Sequence, residues 1–377
     1  MIVLDRVRAL STKQKVIAGV TAAVVVAAGV GIGIASTRDA SSRPVAASAS
    51  RTPTPTPSSS AAPTPKPTPK PRPKPVRPTN PFTGLGSPPA GAVIAVKIDD
   101  TSNGRPQLGI DQADIVYVEQ VEAGLTRLLA IFAAKHPVVE PVRSVRASDP
   151  ELLTQFGSIV VAASGGAGDS LQAVSHSIIH GVYNGGPGFA RDFGRPIPYN
   201  LTLNTSVLAG AFRTAGKAKS IGFTWSATVP SGASTRSGRS FRTTIGGANT
   251  VLVGFDYDPA SKRYVRVIDG ARQTAADGAT ISTPNVIIQY CDVRVNPGDV
   301  DVVGNVSKYT HSVGHGPVAV FRDGREIVGT WSRPTSASGT TLRTAQGKPI
   351  ALKPGGAWIL LVAKGVTSLP ELMRVLK

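Results

Sequence analysis

The sequence of 377 residues has only one cysteine, so an internal disulfide bond is excluded. Cys291 lies in the strand-like apolar run NVIIQYCDVRV, where a small buried hydrophobic side chain is expected rather than a reactive thiol. The five histidines show no zinc-binding spacing, and neither a GxSxG motif nor a Ser-His-Asp set is identifiable. The sequence also lacks the glycine spacings of the Walker and dinucleotide-binding motifs.

Acidic residues are scarce, and the formal net charge is +18. Residues 1–98 contain 13 Lys/Arg and 2 Asp/Glu, whereas residues 99–377 contain 28 and 21, so the two parts carry +11 and +7. A diffuse +7, without a basic helical stripe or interleaved aromatic residues, does not indicate nucleic-acid binding.

A long uncharged run, VIAGVTAAVVVAAGVGIGIA, occupies residues 16–35. A helix of this length spans a hydrocarbon layer of about 30 Å. Basic residues precede it, which predicts a single-pass membrane anchor with residues 1–15 in the cytoplasm and the remainder outside the cell. A cleaved signal peptide is the alternative, because Gly33-Ile34-Ala35 resembles a cleavage site.

Proline alternates with Thr, Lys or Arg through much of residues 36–80, as in RTPTPTPSSSAAPTPKPTPKPRPKP. This composition predicts a basic linker in an extended polyproline conformation. Outside a membrane such a linker would raise the folded body through the cell wall, or would serve only as a solvated spacer.

The folded body is expected in two domains, residues 81–235 and 236–377. The sequence of the first predicts an α/β (α+β) domain. Its elements are strands AVIAVKIDD and ADIVYVEQVE, a third strand in LTRLLAIFAA, and a helix with a Ser148/Glu151 capping box. The sequence of the second predicts a mainly antiparallel β domain with an Asp323-Gly324 hairpin turn and a short helix after Pro370.

The stretch PVRSVRASDPELL places Arg143 and Arg146 immediately before a predicted helix. Paired arginines bind phosphate or carboxylate groups, and helix-end amides add positive character. They could equally be tied to Asp149 or Glu140 of their own protein. The turn SGGAGDS at residues 164–170 is a weaker candidate anion site.

Four acidic residues are candidate site residues, and three of them, Asp99, Asp100 and Glu119, could hold a divalent cation such as Mg²⁺, because hard cations prefer oxygen. They could instead be ion-pair partners of the nearby arginines. These acidic residues are Asp99, Asp100, Glu119 and Glu122, and the arginines are Arg105, Arg127, Arg143 and Arg146.

The segments NPFTGL…AVIAVKIDDTSNGRPQLGIDQADIVYVEQVEAGLTRLLAIFAAKHPVVEPVRSVR and NVIIQYCDVRV…VAVFRDGREIVGTWSR…PIALKPGGAWILLV resemble the YerB-type family of bacterial envelope proteins. The resemblance implies export and two domains, without an assigned biochemical role. Members are typically lipoproteins with an N-terminal Cys, which this sequence lacks. The family's recurrent segments carry Asp99, Arg105, Glu119, Glu122, Arg127, Arg143 and Arg146.

Three functions remain open from the sequence. The leading hypothesis is a non-catalytic envelope protein that binds an anionic wall polymer or a lipid-linked phosphate through Arg143 and Arg146, with Arg105, Arg127, Glu119 and Glu122 in support. A metal-assisted phosphotransferase or hydrolase, with Mg²⁺ on Asp99 and Asp100, is the alternative by analogy with LytR–CpsA–Psr enzymes. A protein-binding scaffold is the third.

Overall fold

The computed structural model describes residues 78–229, 235–246, 251–301 and 304–365. The anchor predicted at residues 16–35, most of the Pro-rich linker and the predicted C-terminal helix lie outside the described residues. Within these ranges, no helix is long and apolar enough to cross a membrane.

Twenty β-strands and three short α-helices make up the described residues. The helices are α1 (Asp149–Leu153), α2 (Gly168–Ser175) and α3 (Thr205–Ala211). The strands are β1 (Ile94–Asp99), β2 (Ile115–Gln120), β3 (Thr126–Phe132), β4 (Val138–Val139), β5 (Val160–Ala163), β6 (His180–Tyr183), β7 (Phe189–Arg191), β8 (Leu201–Asn204), β9 (Thr235–Ser237), β10 (Ser240–Thr244), β11 (Leu252–Asp258), β12 (Arg263–Ile268), β13 (Ala271–Arg272), β14 (Ser282–Thr283), β15 (Asn285–Val300), β16 (Val306–His311), β17 (Gly314–Arg322), β18 (Arg325–Arg333), β19 (Thr341–Thr344) and β20 (Ala357–Ala363).

One mixed sheet of twelve strands contains strands from both predicted domains, in the order β19-β18-β17-β15-β20-β2-β3-β1-β5-β6. β16 adds to β15, and β9 adds to β18. β20 lies parallel to both β15 and β2, so the last described strand pairs with the second. Smaller sheets comprise β10 to β14 and β4-β8-β7.

Both faces of this sheet are covered, which explains why its central strands are apolar at nearly every position. Successive side chains of a strand point to opposite faces, so Ile94, Val96 and Ile98 pack in one core and Ala95 packs in the other. Lys97 interrupts this apolar run and is fully buried. A buried ammonium needs ionic partners, and these lie beneath the candidate site.

The described part of the chain is mainly β, with mixed sheets, so the α/β prediction for its first half is supported only in part. All three helices fall between residues 81 and 235, but none is longer than eight residues. The third strand is confirmed at Thr126–Phe132, and Asp323 and Gly324 both have positive φ in the two-residue hairpin predicted there. In the predicted second domain, the parallel pairing of β15 with β20 departs from an antiparallel pattern.

The predicted capping box is wrong. Ser148 precedes α1 but its side chain accepts no capping hydrogen bond. Asp149 Oδ2 instead accepts from the Arg146 amide at 2.7 Å, and Glu151 reaches a distant loop, accepting from the amides of Ser312 and Val313 at 2.7 and 2.9 Å. Hydrogen bonds to other residues therefore take the place of the reciprocal capping hydrogen bonds between Ser148 and Glu151 that the spacing predicts.

Candidate functional site

A cleft of about 690 Å³ opens beside the segment that contains Arg143 and Arg146. Its walls come from four places in the sequence: the turn after β2, residues 143–146, the glycine-rich turn 164–167, and the tip of the β15–β16 hairpin. Pro198 and Tyr199 close one side. We call this space the arginine cleft.

Arg146 and Arg127 both bind Glu122 at the wall of the arginine cleft. Arg146 donates from Nε to Glu122 Oε2 at 3.0 Å and makes a short second contact from Nη2, while Arg127 Nη2 donates to Oε1 at 3.3 Å. Arg146 Nη1 also donates to the Val145 carbonyl at 2.9 Å. Arg146 therefore lies in the wall as an ion-pair partner, with its side chain only 6% exposed.

The pKa values of these groups reflect their crowding. Burial alone would raise the pKa of Glu122, but the charges of Arg127 and Arg146 outweigh it and lower the pKa below its ordinary value. Burial, together with the neighbouring positive charge of Arg146, lowers the pKa of Arg127 to about 10. Glu122 is thus ionised near neutral pH, and its single negative charge lies between two arginine side chains.

Arg143 is held differently from Arg146. Its Nε lies 2.7 Å from Asp99 Oδ2, in an ion-pair contact that lacks hydrogen-bond alignment, and its guanidinium carbon lies 5.4 Å from the centre of the Tyr199 ring. The side chain is 23% exposed, and within the described ranges neither Nη atom has a hydrogen-bond partner. Arg143 therefore presents a positioned guanidinium edge to the cleft.

Asp99 is fixed by its own turn and so fixes Arg143. Its Oδ1 accepts from the amide and the hydroxyl of Thr101, at 2.7 and 2.5 Å. Gly104 packs directly against this carboxylate: a Cβ at that position would lie 2.3 Å from Asp99 Oδ1. Only glycine therefore permits the turn to close on Asp99.

The glycine-rich turn lies against the arginine segment. The Val145 amide donates to the Gly165 carbonyl, and the Ser164 amide donates to the Arg143 carbonyl, both at 2.9 Å. A Cβ on Gly166 would meet Val145 Cγ2 at 2.8 Å, so this close approach requires glycine. The arginine segment and the glycine-rich turn are the two candidate anion sites predicted from the sequence. They thus form one wall of the same cleft.

The β15–β16 hairpin also supplies oxygen atoms to the lining of the cleft. Asp299 Oδ2 accepts from Ser170 Oγ of α2 at 2.6 Å, and both residues are buried. Ser307 Oγ and Arg127 Nε are buried polar atoms of cleft-lining residues without a hydrogen-bond partner among the described residues. Buried polar groups generally require a partner, so the lining is suited to a polar ligand.

The structure places Glu119 below the arginine cleft rather than in it. Lys97 Nζ donates to Glu119 Oε2 at 3.0 Å and to Asp149 Oδ1 at 2.9 Å. Burial raises the pKa of Glu119 to about 7, although the nearby Lys97 charge opposes the rise. Arg105 is half-buried, follows the turn Ser102–Gly104, and does not line the cleft.

Asp100 points away from the cleft into the interface with the second half of the chain. Arg266 Nη2 donates to both of its carboxylate oxygens, and Thr126 and Gln107 donate to them as well. Within the described ranges, no group of three or more His, Cys, Asp or Glu is arranged to hold a metal ion. The Mg²⁺ hypothesis for Asp99 and Asp100 remains a prediction, and the geometry gives each carboxylate an arginine partner.

Sequence reasoning missed several lining residues: Tyr199, Asp299, Asn305 and Ser307. No local motif marks them, because they reach the arginine segment from more than 50 residues away. It also missed Lys97, whose only signal was a single charge inside the apolar run AVIAVKIDD.

Two family models match this chain. Residues 82–218 match "Protein of unknown function (DUF3048) N-terminal domain", and residues 242–359 match the C-terminal domain of the same family. A Bacillus subtilis (strain 168) protein described as "Putative lipoprotein YerB" is 29% identical over 280 residues, which cover 71% of this chain and 80% of that protein.

The crystal structure of YerB from Bacillus subtilis has a similar fold. The TM-score is 0.62 at 22% sequence identity, and the match covers 75% of this chain and 95% of that structure. At this level of identity the likeness concerns the fold.

Proposed function

Since this chain belongs to the YerB-type DUF3048 family, whose role is unknown, we propose that it is an envelope protein whose arginine cleft binds an anionic glycan. The observation that carries the proposal is the guanidinium of Arg143. It is held in place by Asp99 and Tyr199, it lines the cleft, and its Nη atoms have no hydrogen-bond partner among the described residues.

The mixed polarity of the cleft supports a glycan rather than a bare anion. The lining carries three arginines and three carboxylates: Arg127, Arg143, Arg146, Glu122, Asp299 and Asp301. A balanced set of this kind attracts no small anion by net charge alone. Carboxylate and amide oxygens accept hydrogen bonds from sugar hydroxyl groups, whereas Arg143 binds a phosphate or carboxylate on the same chain.

The size of the cleft fits this ligand class. A volume of about 690 Å³ lies in the range of small-molecule sites, which is roughly 300–1,000 Å³. The cleft therefore accommodates a few sugar units of a longer polymer. Asn305 of the hairpin and Ser164 of the glycine-rich turn add neutral hydrogen-bonding groups to the lining.

The test is a calorimetric titration of the full chain with a glycerol-phosphate polymer, a uronic-acid polymer and a neutral glucan. We expect saturable binding of an anionic polymer that Arg143→Ala weakens by about tenfold or more, because a charge-assisted hydrogen bond contributes roughly 1.5–3 kcal/mol. Arg294→Ala is the matched control, since Arg294 is an exposed arginine paired with Asp292 outside the cleft. Equal affinity of the Arg143 and Arg294 variants, or no binding of any polymer, would reject the proposal.

Attachment to the membrane through residues 16–35 is the second part of the proposal. The uncharged run itself and the lipoprotein description of the Bacillus relative support an anchored envelope protein. Carbonate washing of membranes tests it: an anchored chain stays with the lipid, and deletion of residues 16–35 releases it. Release of the full chain by the wash would refute the anchor.

A further inference from the structure

A loop beside the arginine cleft exposes two large apolar side chains. Phe193 is 93% exposed and Ile197 is 78% exposed, four positions apart in the segment RDFGRPIPY. A nearly free phenylalanine is unusual on a protein surface, because burying such a side chain contributes about 1.5–3 kcal/mol. We call residues 191–199 the apolar loop.

The apolar loop is held in this shape by its own polar contacts. Asp192 Oδ1 accepts from the Gly194 amide at 2.7 Å, and the Tyr199 amide donates to the Pro196 carbonyl at 2.8 Å. Arg195 anchors the loop to the turn after β1, donating to the Gly104 and Pro106 carbonyls at 3.0 and 3.1 Å. Phe193 and Ile197 are therefore held outward by a braced loop.

Basic residues belong to the apolar loop and to the segment that it contacts. Arg191 is exposed at the start of the loop, and Arg105 lies in the peptide segment that Arg195 grips. Of the nearby acidic residues, Glu140 is buried and lies 3.6 Å from Arg195 Nη1. The exposed charge at this corner is thus mainly positive, with Asp192 as the acidic member.

We infer that the apolar loop docks on an anionic lipid surface, with Phe193 and Ile197 entering the interface and Arg105 and Arg191 facing the headgroups. Apolar side chains flanked by basic residues are the combination that binds such interfaces. Pro198 and Tyr199 belong both to this loop and to the wall of the cleft. Docking would therefore bring the mouth of the arginine cleft to the membrane surface, and this inference stands apart from the glycan proposal.

The lone cysteine makes a site-specific test practical. Cys291 is fully buried, and burial raises the pKa of its thiol to about 12, so a maleimide dye reacts with an introduced cysteine instead. The full chain would carry a polarity-sensitive dye at Phe193→Cys or Ile197→Cys. Val328→Cys is the matched control, because Val328 is 52% exposed on β18.

Vesicles of phosphatidylcholine, with or without phosphatidylglycerol, would be added to each labelled protein. We expect emission from positions 193 and 197 to shift to shorter wavelength with phosphatidylglycerol vesicles, and emission from position 328 to stay unchanged. Neutralising Arg105 and Arg191 to glutamine should weaken binding to these vesicles by about fivefold per residue. The Arg143→Ala variant should keep the full shift, which separates this inference from the function of the cleft.

Three outcomes would overturn the inference. The first is unchanged emission at positions 193 and 197, and the second is an equal shift at position 328. The third is a shift that requires another envelope protein and is absent with lipid alone, which would assign the loop to a protein partner.

Discussion

Arg266 of β12 donates from one nitrogen, Nη2, to both carboxylate oxygens of Asp100, at 2.9 and 2.7 Å, across 166 residues of sequence. Both side chains are fully buried, and the guanidinium also lies 4.9 Å from the ring of Trp358. This ion pair links β12, in the second half of the chain, to Asp100 in the turn that orients Asp99. The arginine cleft therefore depends on contacts formed far from it in sequence.

Replacing Arg266 by Met should be strongly destabilising, because it leaves the buried Asp100 carboxylate without its ionic partner. Loss of one member of a buried pair costs about 3–5 kcal/mol of unfolding free energy. Urea unfolding would measure this change. The double variant Asp100→Asn/Arg266→Met should recover part of the loss, and Arg294→Met should cost less than about 1 kcal/mol because the Arg294–Asp292 pair is exposed. A small cost for Arg266→Met would show that the pair is dispensable.

Glu119 should make stability fall as pH rises from about 4.5 to 7. Burial raises its pKa in the folded protein to about 7 from an ordinary 4.5, so the folded state binds the proton more tightly than the unfolded state. The resulting stabilisation is present below this window and lost as pH rises through it. The two arginines lower the pKa of Glu122 even though burial opposes them. Glu122 therefore contributes stability that is lost as pH falls below 4.5, which is the opposite direction to the Glu119 effect.

Urea midpoints measured between about pH 3 and 8 would detect the contributions of both Glu119 and Glu122. Glu119→Gln should flatten the decline across pH 4.5–7 while leaving the acid limb from Glu122 in place. An unchanged decline in this variant would assign the pH dependence to other groups.

Gly104→Ala should damage the arginine cleft indirectly. The added methyl group would lie 2.3 Å from Asp99 Oδ1, so either the Asp99 carboxylate or the turn must move, and Arg143 loses its fixed partner. We expect a loss of about 1–3 kcal/mol in unfolding free energy, together with weaker polymer binding. Gly210→Ala in α3 is the matched control, since nothing lies within 4 Å of its added Cβ. Normal binding by the Gly104 variant would mean that Asp99 does not position Arg143.

Cys291 should resist alkylation in the native protein. Its side chain is fully buried, and burial raises the thiol pKa to about 12, so little thiolate is present near neutral pH. Mass spectrometry after iodoacetamide treatment should show no adduct in buffer and complete modification in concentrated urea. Rapid labelling of the folded protein would contradict this packing, and would also remove the basis for the cysteine-label experiment.

Several features of this protein followed directly from the sequence. The runs AVIAVKIDD and LTRLLAIFAA gave β1 and β3 because continuous apolar segments suit strands covered on both faces. Asp323-Gly324 specified its hairpin because two adjacent residues with positive φ favour these residue types. The arginine pair before α1 lies in the lining of the cleft, and its part in anion binding stays a prediction.

Only the tertiary structure determines that Arg143 and Arg146 have different partners and different exposure. The two are three residues apart in the same short segment, and each has a carboxylate within reach. Glu122 binds Arg146 in the wall, whereas Asp99 touches only one edge of Arg143 and leaves the other toward the cleft. That difference depends on strand register: Arg127 of β3 lies between Asp99 of β1 and Glu119 of β2. Long-range pairing sets this register, and no local pattern encodes which carboxylate each arginine will meet.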